Sequence, residues 1–286
     1  MDKNLNDILN KLMGKVSKNS IAIRKLNTLE IPSPSANRNI LINADFRINQ
    51  RVYVSAAALA AGVYAHDRWK GGAGGGTYSF TQLASPTTIT IAANKTLIQV
   101  VEDKNVIGGT YTLSWEGTCQ ARYAVDSATP AGAYADSPIT IAGQTAGTTM
   151  SVEFGNGAAS GTLGKVQLEA DSVATPYEFR LIPEELALCE WYYRIIGKST
   201  GPQAALHFGG YGYGTQNETI TLSFQDMRTT PTATKVGTWT VGNCAQPTIG
   251  ALSPNTVRLY TAVTATGAYA FYTANNTNYI TLASEL

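Results

Sequence analysis

Residues 166–180, VQLEADSVATPYEFR, are followed at residues 183–194 by PEELALCEWYYR. The first stretch opens with alternation: Val166 and Leu168 against Gln167 and Glu169. That is the two-residue period of a half-buried strand, and a turn and a second extended run come after it. The second stretch has a helical signature. Pro183 sits at the first helical position, Glu184 and Glu185 lie at the positive end of the helix dipole, and Leu188, Trp191, Tyr192 and Ile195 can share one face up to Gly197. The chain thus changes from strand to helix near residue 181, and that change divides it.

Upstream of the junction, strand signals recur from residue 40. ILINADFRIN (40–49) opens the series. TITI (88–91), TYTLSW (110–115), SPITI (137–141) and TMSVEF (149–154) follow, with glycines between them. Many short strands separated by turns, with no helical period among them, predict a jelly-roll β-sandwich over 39–180. Downstream of the helix, strands resume at ITLSF (220–224), VRLY (257–260), AYAFY (268–272) and YITL (279–282). Residues 181–286 therefore read as a smaller β-rich domain with one helix, and the fold class as mainly β.

The first 30 residues differ from both. Leu5, Leu9, Leu12, Val16, Asn19, Ile23 and Leu26 alternate spacings of four and three, the narrow seam of a coiled coil. Leu9, Val16 and Ile23 take the a positions, a pattern compatible with two or three strands, and Asn19 at d reads as a register device. The prolines of IPSPSANR (31–38) stop the helix and form a stiff linker.

Composition bounds the partners. A formal net charge of +1 supplies no basic field for nucleic acid. No apolar run approaches the length of about 18 residues that suggests membrane insertion, and the polar N-terminus lacks the apolar stretch of a secretory signal. Cys119, Cys189 and Cys244 are far apart and odd in number, and they read as reduced thiols of a protein made in cytoplasm.

No catalytic motif emerges. His66 and His207 stand in no metal-ligand spacing, no cofactor motif is present, and the identity of any metal is left unassigned. The acidic residues Asp126, Asp136, Asp171 and Glu178 fall mostly in ordinary turns. Asp67, Arg68 and Trp69 read as structural: a carboxylate–guanidinium pair beside a buried indole. GGAGGG (71–76) reads as a flexible loop, with no phosphate-loop lysine. In GGYGYGTQ (209–216), glycines let the backbone bend while Tyr211 and Tyr213 offer flat faces and hydroxyls suited to sugar stacking. Trp239 and Tyr260 are further aromatic candidates for glycan contact.

Several segments together resemble phage tail-fibre and tail-tip receptor-binding proteins. They are NILINADF (39–46), the tyrosine-plus-Asp-Arg-Trp element YAHDRW (64–69), VQLEADSVATPYE (166–178), the helix ELALCEWYY (185–193), FQDMRTTPT (224–232) and the ending ASEL (283–286). The resemblance implies a homotrimeric virion protein without enzymatic activity. Such a protein attaches to other tail proteins through its N-terminal helix and to a bacterial surface glycan through its distal part. The competing readings are a structural virion adaptor with no host ligand, a polysaccharide depolymerase, and a cellular carbohydrate-binding module, which would be monomeric and would not need the heptads.

Overall fold

The computed structural model describes residues 38–81, 87–198, 205–273 and 276–286. The heptad segment lies outside these residues, as does most of the linker. Asn39 to Leu286 form one compact unit.

Ten strands build the first half: β1 (Lys70–Gly71), β2 (Tyr78–Phe80), β3 (Ile89–Ile91), β4 (Thr96–Val101), β5 (Gly109–Glu116), β6 (Gln120–Ala124), β7 (Ala131–Ala135), β8 (Ile139–Gln144), β9 (Met150–Gly155) and β10 (Gly161–Glu169). They form two five-stranded sheets of order β1-β4-β9-β6-β7 and β2-β3-β10-β5-β8, with every pairing antiparallel. Omitting the outermost β1 and β2 leaves β4-β9-β6-β7 facing β3-β10-β5-β8, in which the strands from β3 to β10 wind between two sheets as in a jelly roll. The sheets share one core. Leu97, Val152 and Phe154 come from one, and Ile89, Leu113, Leu163 and Val166 from the other, all fully buried.

The opening segment 40–48 is not a strand. Its apolar alternation is real, but Asn43 and Phe46 both take positive φ, 55° each, which ends any ladder. Side chains satisfy the backbone instead. Asn43 donates to the carbonyls of Ile48 (2.7 Å) and Asp67 (3.0 Å) and accepts from the Ile48 amide (2.9 Å). The Gln99 amide pairs with both backbone groups of Ile42, at 2.7 and 2.9 Å, as a neighbouring strand would. Asn39 bridges to β10 through the Val166 carbonyl (2.8 Å) and the Leu168 amide (3.1 Å).

The glycine run 71–76 is packed rather than flexible. A Cβ on Gly72 would lie 1.9 Å from Thr96 Oγ1 and 2.6 Å from Glu153 Oε1, so the backbone passes where no side chain fits.

The helix α1 (Ile182–Glu190) begins as read, with Pro183 in its first turn and the Glu184 carboxylate reaching back to the Leu181 amide. It ends earlier than the sequence suggests. Trp191 is the C-cap, and Tyr193–Ile196 is a strand, β11, so Ile195 leaves the helical face. Beyond it lie β12 (His207–Gly212), β13 (Asn217–Ser223), β14 (Thr232–Val236), β15 (Thr240–Gly242), β16 (Thr248–Ser253), β17 (Thr256–Ala262), β18 (Gly267–Tyr272) and β19 (Tyr279–Ala283). They form three three-stranded sheets, β11-β19-β14, β12-β18-β15 and β13-β17-β16, around a second core that includes Trp239, Leu259, Phe271, Ile280 and Leu282.

The helix joins the two halves. Cys189 and Tyr192 pack with Ile42 and Ile48 of the opening segment. Glu185, buried, accepts from the Asn43 amide and lies 3.4 Å from the Arg180 guanidinium, which also donates to the Leu41 carbonyl at 3.0 Å. The 166–180 stretch therefore leads from β10 to the buried arginine on which the helix docks, and the residues after it pack against the sandwich.

Candidate functional site

Strand pairing sorts the residues of the β12-β18-β15 sheet onto two faces, since side chains alternate along a strand. Phe208 opposite Phe271, and Val241 opposite Phe271, point into the second core. The other face carries His207 opposite Tyr272, Gly209 opposite Ala270, and Tyr211 opposite Ala268, with Thr240 and Gly242 alongside on β15. The centre of this face is a floor of glycine and alanine. A Cβ on Gly242 would meet nothing within 4 Å among the described residues, so the floor is open at that point.

Aromatic rings stand at both ends of the floor. At one end Tyr211 is 57% exposed and Tyr213 77%, their centroids 5.1 Å apart. At the other, His207 meets Tyr272 edge to face at 5.3 Å. His207 and Tyr211 are four positions apart on one strand, a span of about 13 Å at the usual rise. Among the described residues, the strand positions of this face carry no Asp, Glu, Lys or Arg side chain. Flat rings flanking a shallow, uncharged floor suit stacking on the C–H face of a sugar, with the tyrosine hydroxyls available for hydrogen bonds.

The four aromatic candidates do not form one site. Tyr211 and Tyr213 are exposed neighbours. Trp239 is 2% exposed, with its indole donating to the Val236 carbonyl at 3.3 Å and its ring near Phe271, so it is core and offers no sugar a face. Tyr260 lies on β17, in a different sheet, with its ring over Gly250. Tyr272 and His207 complete the face and were not read from sequence. Their signal was the small–large alternation of GAYAFY (267–272) opposite HFGGYG (207–212).

Asp67, Arg68 and Trp69 are all buried, but not as the pair expected from sequence. Asp67 pairs with Arg51 at 2.8 Å and accepts from the Gln50 amide at 2.9 Å. Arg68 pairs with Glu285, which also binds Arg51 at 2.7 Å. The Arg68 guanidinium lies 3.6 Å from the Tyr192 ring centroid, and its other arm donates to the Val100 carbonyl at 2.7 Å. Arg68 takes φ 71°, which turns its side chain away from its sequence neighbour. Trp69 donates to the Asn43 carbonyl at 2.9 Å. The result is an ionic chain, Asp67–Arg51–Glu285–Arg68, in which the charges balance. Burial pushes the Asp67 carboxyl up to about 6, against the lowering effect of Arg51.

The acidic residues considered for hydrolysis have separate structural partners. Asp126 accepts from Thr145 and Thr148, bonds that hold its carboxyl below the ordinary range. Asp136 accepts from Gln120 at 3.0 Å, Asp171 from the Ser172 amide at 2.6 Å, and Glu178 from the Asn39 amide at 2.7 Å. Among the described residues no group of three or more His, Cys, Asp or Glu can hold a metal ion. The three cysteines are buried and unpaired, and burial pushes the Cys119 thiol up to about 12.

No family model matches the sequence, and no curated protein matches it. Among solved structures the chain is similar to recombinant discoidin II of Dictyostelium discoideum at 9% identity, covering 73% of this chain and 82% of that one, with a TM-score of 0.21. Wild-type discoidin II gives 9%, 74%, 82% and 0.22. Superpositions this loose bear no weight, and the fold assignment rests on the strand order.

Proposed function

We propose that this chain is a non-enzymatic attachment protein that binds a glycan across the outer face of the β12-β18-β15 sheet. The observation that carries the reading is the glycine–alanine floor between the Tyr211–Tyr213 pair and the His207–Tyr272 pair. The core needs none of these outward rings, and their exposure in water costs free energy that a stacked ligand would recover.

The finer reading is a viral tail fibre that docks on a bacterial surface glycan. Its support is the sequence resemblance at 39–46, 64–69, 166–178, 185–193, 224–232 and 283–286. In that reading the heptad segment 1–30 assembles a homotrimer and attaches it to other tail proteins, and the mature location is the virion after synthesis in the host cytoplasm. Three copies would convert weak single-site contacts into tight attachment.

Two measurements test it. Light scattering gives the solution mass of the full chain, and a trimer is expected. A fluorescently tagged full chain is then applied to a panel of bacteria and to a glycan array. Staining that disappears in Tyr211→Ala supports the site. Staining retained in both Tyr211→Ala and Tyr272→Ala moves the site elsewhere. A monomer that stains nothing overturns the attachment reading.

A further inference from the structure

The seam between the two halves holds a second feature, unrelated to the sheet face. A cleft of about 180 Å³ lies between the 3-10 turn Asp103–Asn105 and helix α1. Ile42, Leu188, Trp191 and Tyr192 make its apolar wall, and Glu102, Lys104 and Asn105 supply its polar side. Trp191 is 36% exposed and Leu188 37%, while Glu102 is only 4% exposed.

Glu102 is the informative group. Its Oε2 accepts from the Tyr192 hydroxyl at 2.9 Å and the Trp191 indole at 3.3 Å. Among the described residues its Oε1 has no hydrogen bond, and its nearest cation is Lys104 at 4.0 Å. Glu102 lines the cleft, and its Oε1 is not among the sealed polar atoms that lack a partner. Burying a carboxylate is costly unless its lone pairs are used. Anchoring Tyr192 and Trp191 occupies one oxygen, while the other faces the Lys104 ammonium at 4.0 Å, too far for a hydrogen bond, and can accept one from a ligand.

We infer that this cleft binds a single neutral pyranose ring, with one of its hydroxyls donating to Glu102 Oε1 and its C–H face against Trp191. The surrounding charges select this class. An organic cation would meet Lys104, an anion would meet Glu102, and a purely apolar ligand would strip water from Glu102 Oε1 without replacing its hydrogen bond. A ring of hydroxyls uses all three polar groups: it donates to Glu102, accepts from Lys104, and does both with the Asn105 amide. The volume is below the usual range of about 300–1,000 Å³ for ligand pockets, which limits the occupant to one ring or the terminal unit of a chain. The inference is independent of the sheet face.

The test uses the full chain and the methyl glycosides of glucose, galactose, mannose, N-acetylglucosamine and rhamnose. Methylammonium and acetate serve as charged probes. Saturation-transfer NMR is expected to show at least one glycoside bound at millimolar concentration. Lys104→Ala and Asn105→Ala alter exposed side chains and leave the fold intact. Asn105→Ala should weaken binding by about fivefold, and Lys104→Ala and Glu102→Gln each by about tenfold, the scale of lost hydrogen bonds to neutral and to charged groups. Tyr211→Ala should leave this binding unchanged. The inference is overturned if no glycoside gives a signal, if methylammonium or acetate binds more tightly than every glycoside, or if Lys104→Ala and Asn105→Ala bind as well as the wild type.

Discussion

The two halves of the molecule differ in how many of their polar and aromatic residues they enclose. In the sandwich they are inside. Asn39, Asn43, Asp45, Asp67, Arg68, Gln99, Glu153, Gln167 and Glu169 are all buried, and Trp69, Tyr78 and Tyr111 are enclosed with them. Beyond the helix, strands such as β13 alternate exposed and half-buried along their whole length, and Tyr211 and Tyr213 face water. A buried hydrogen-bonded network fixes one arrangement, because leaving any member unpaired is costly. An exposed face tolerates substitution in the fold and can be shaped for a ligand. The sandwich holds geometry, and the C-terminal sheets present surface.

This contrast can be broken most severely at the ionic chain. Glu285→Ala leaves the buried Arg68 without its carboxylate and Arg51 with only one, and should cost about 3–5 kcal/mol in urea unfolding. A loss below about 1 kcal/mol would mean the chain is surface-like and the contrast false.

Gly72→Ala comes next. It drives a methyl into Thr96 and should cost about 1–3 kcal/mol. Alanine at the open position Gly242 should change stability by no more than about 0.5 kcal/mol, while narrowing the proposed floor.

The pH dependence sharpens the same point. Burial raises the folded-state carboxyl of Asp67 to about 6, above its value in the unfolded chain. Between these values the folded state holds more protons, so the contribution of Asp67 to stability is fully present at the low end and is lost as pH rises through about 6. Glu185 and Asp45 are also raised, chiefly by burial, and act in the same direction. Against Asp67→Asn, the wild type should gain a few degrees of Tm between pH 7.5 and pH 5. Equal slopes for the two proteins would remove Asp67 from the account.

The smallest effect on stability is expected at the surface. Tyr211→Ala should alter unfolding by less than about 0.5 kcal/mol while abolishing glycan staining. A large destabilisation would show that the ring packs rather than binds.

The sequence was most legible where one short period governed. Alternation found β3, β5, β8, β9, β10, β13, β17, β18 and β19, and the Pro183–Glu184–Glu185 start found the helix. It failed where side chains replace backbone pairing. ILINADFRI has a strand pattern, but Asn43 and Gln99 satisfy its backbone and two positive φ values bend it. Arg68 next to Asp67 suggested a local pair, whereas their partners are Glu285 and Arg51. Of the proposed site, Tyr211 and Tyr213 were legible from their glycine setting. Tyr272 and His207 needed the β12–β18 register, and Trp239 needed the core that hides it.

The ionic chain also has a consequence in time. Arg68 and Glu285 are 217 positions apart, and Arg51 and Glu285 are 234. At about 5–20 residues per second, a ribosome that has finished Arg68 needs roughly 10–45 s to reach Glu285. For that interval the nascent sandwich has no carboxylate to close on Arg68, and a guanidinium cannot be buried alone at low cost. Closure of the ionic chain therefore waits on a carboxylate the ribosome adds long after the sandwich strands, so synthesis order sets the order in which the two halves can lock together.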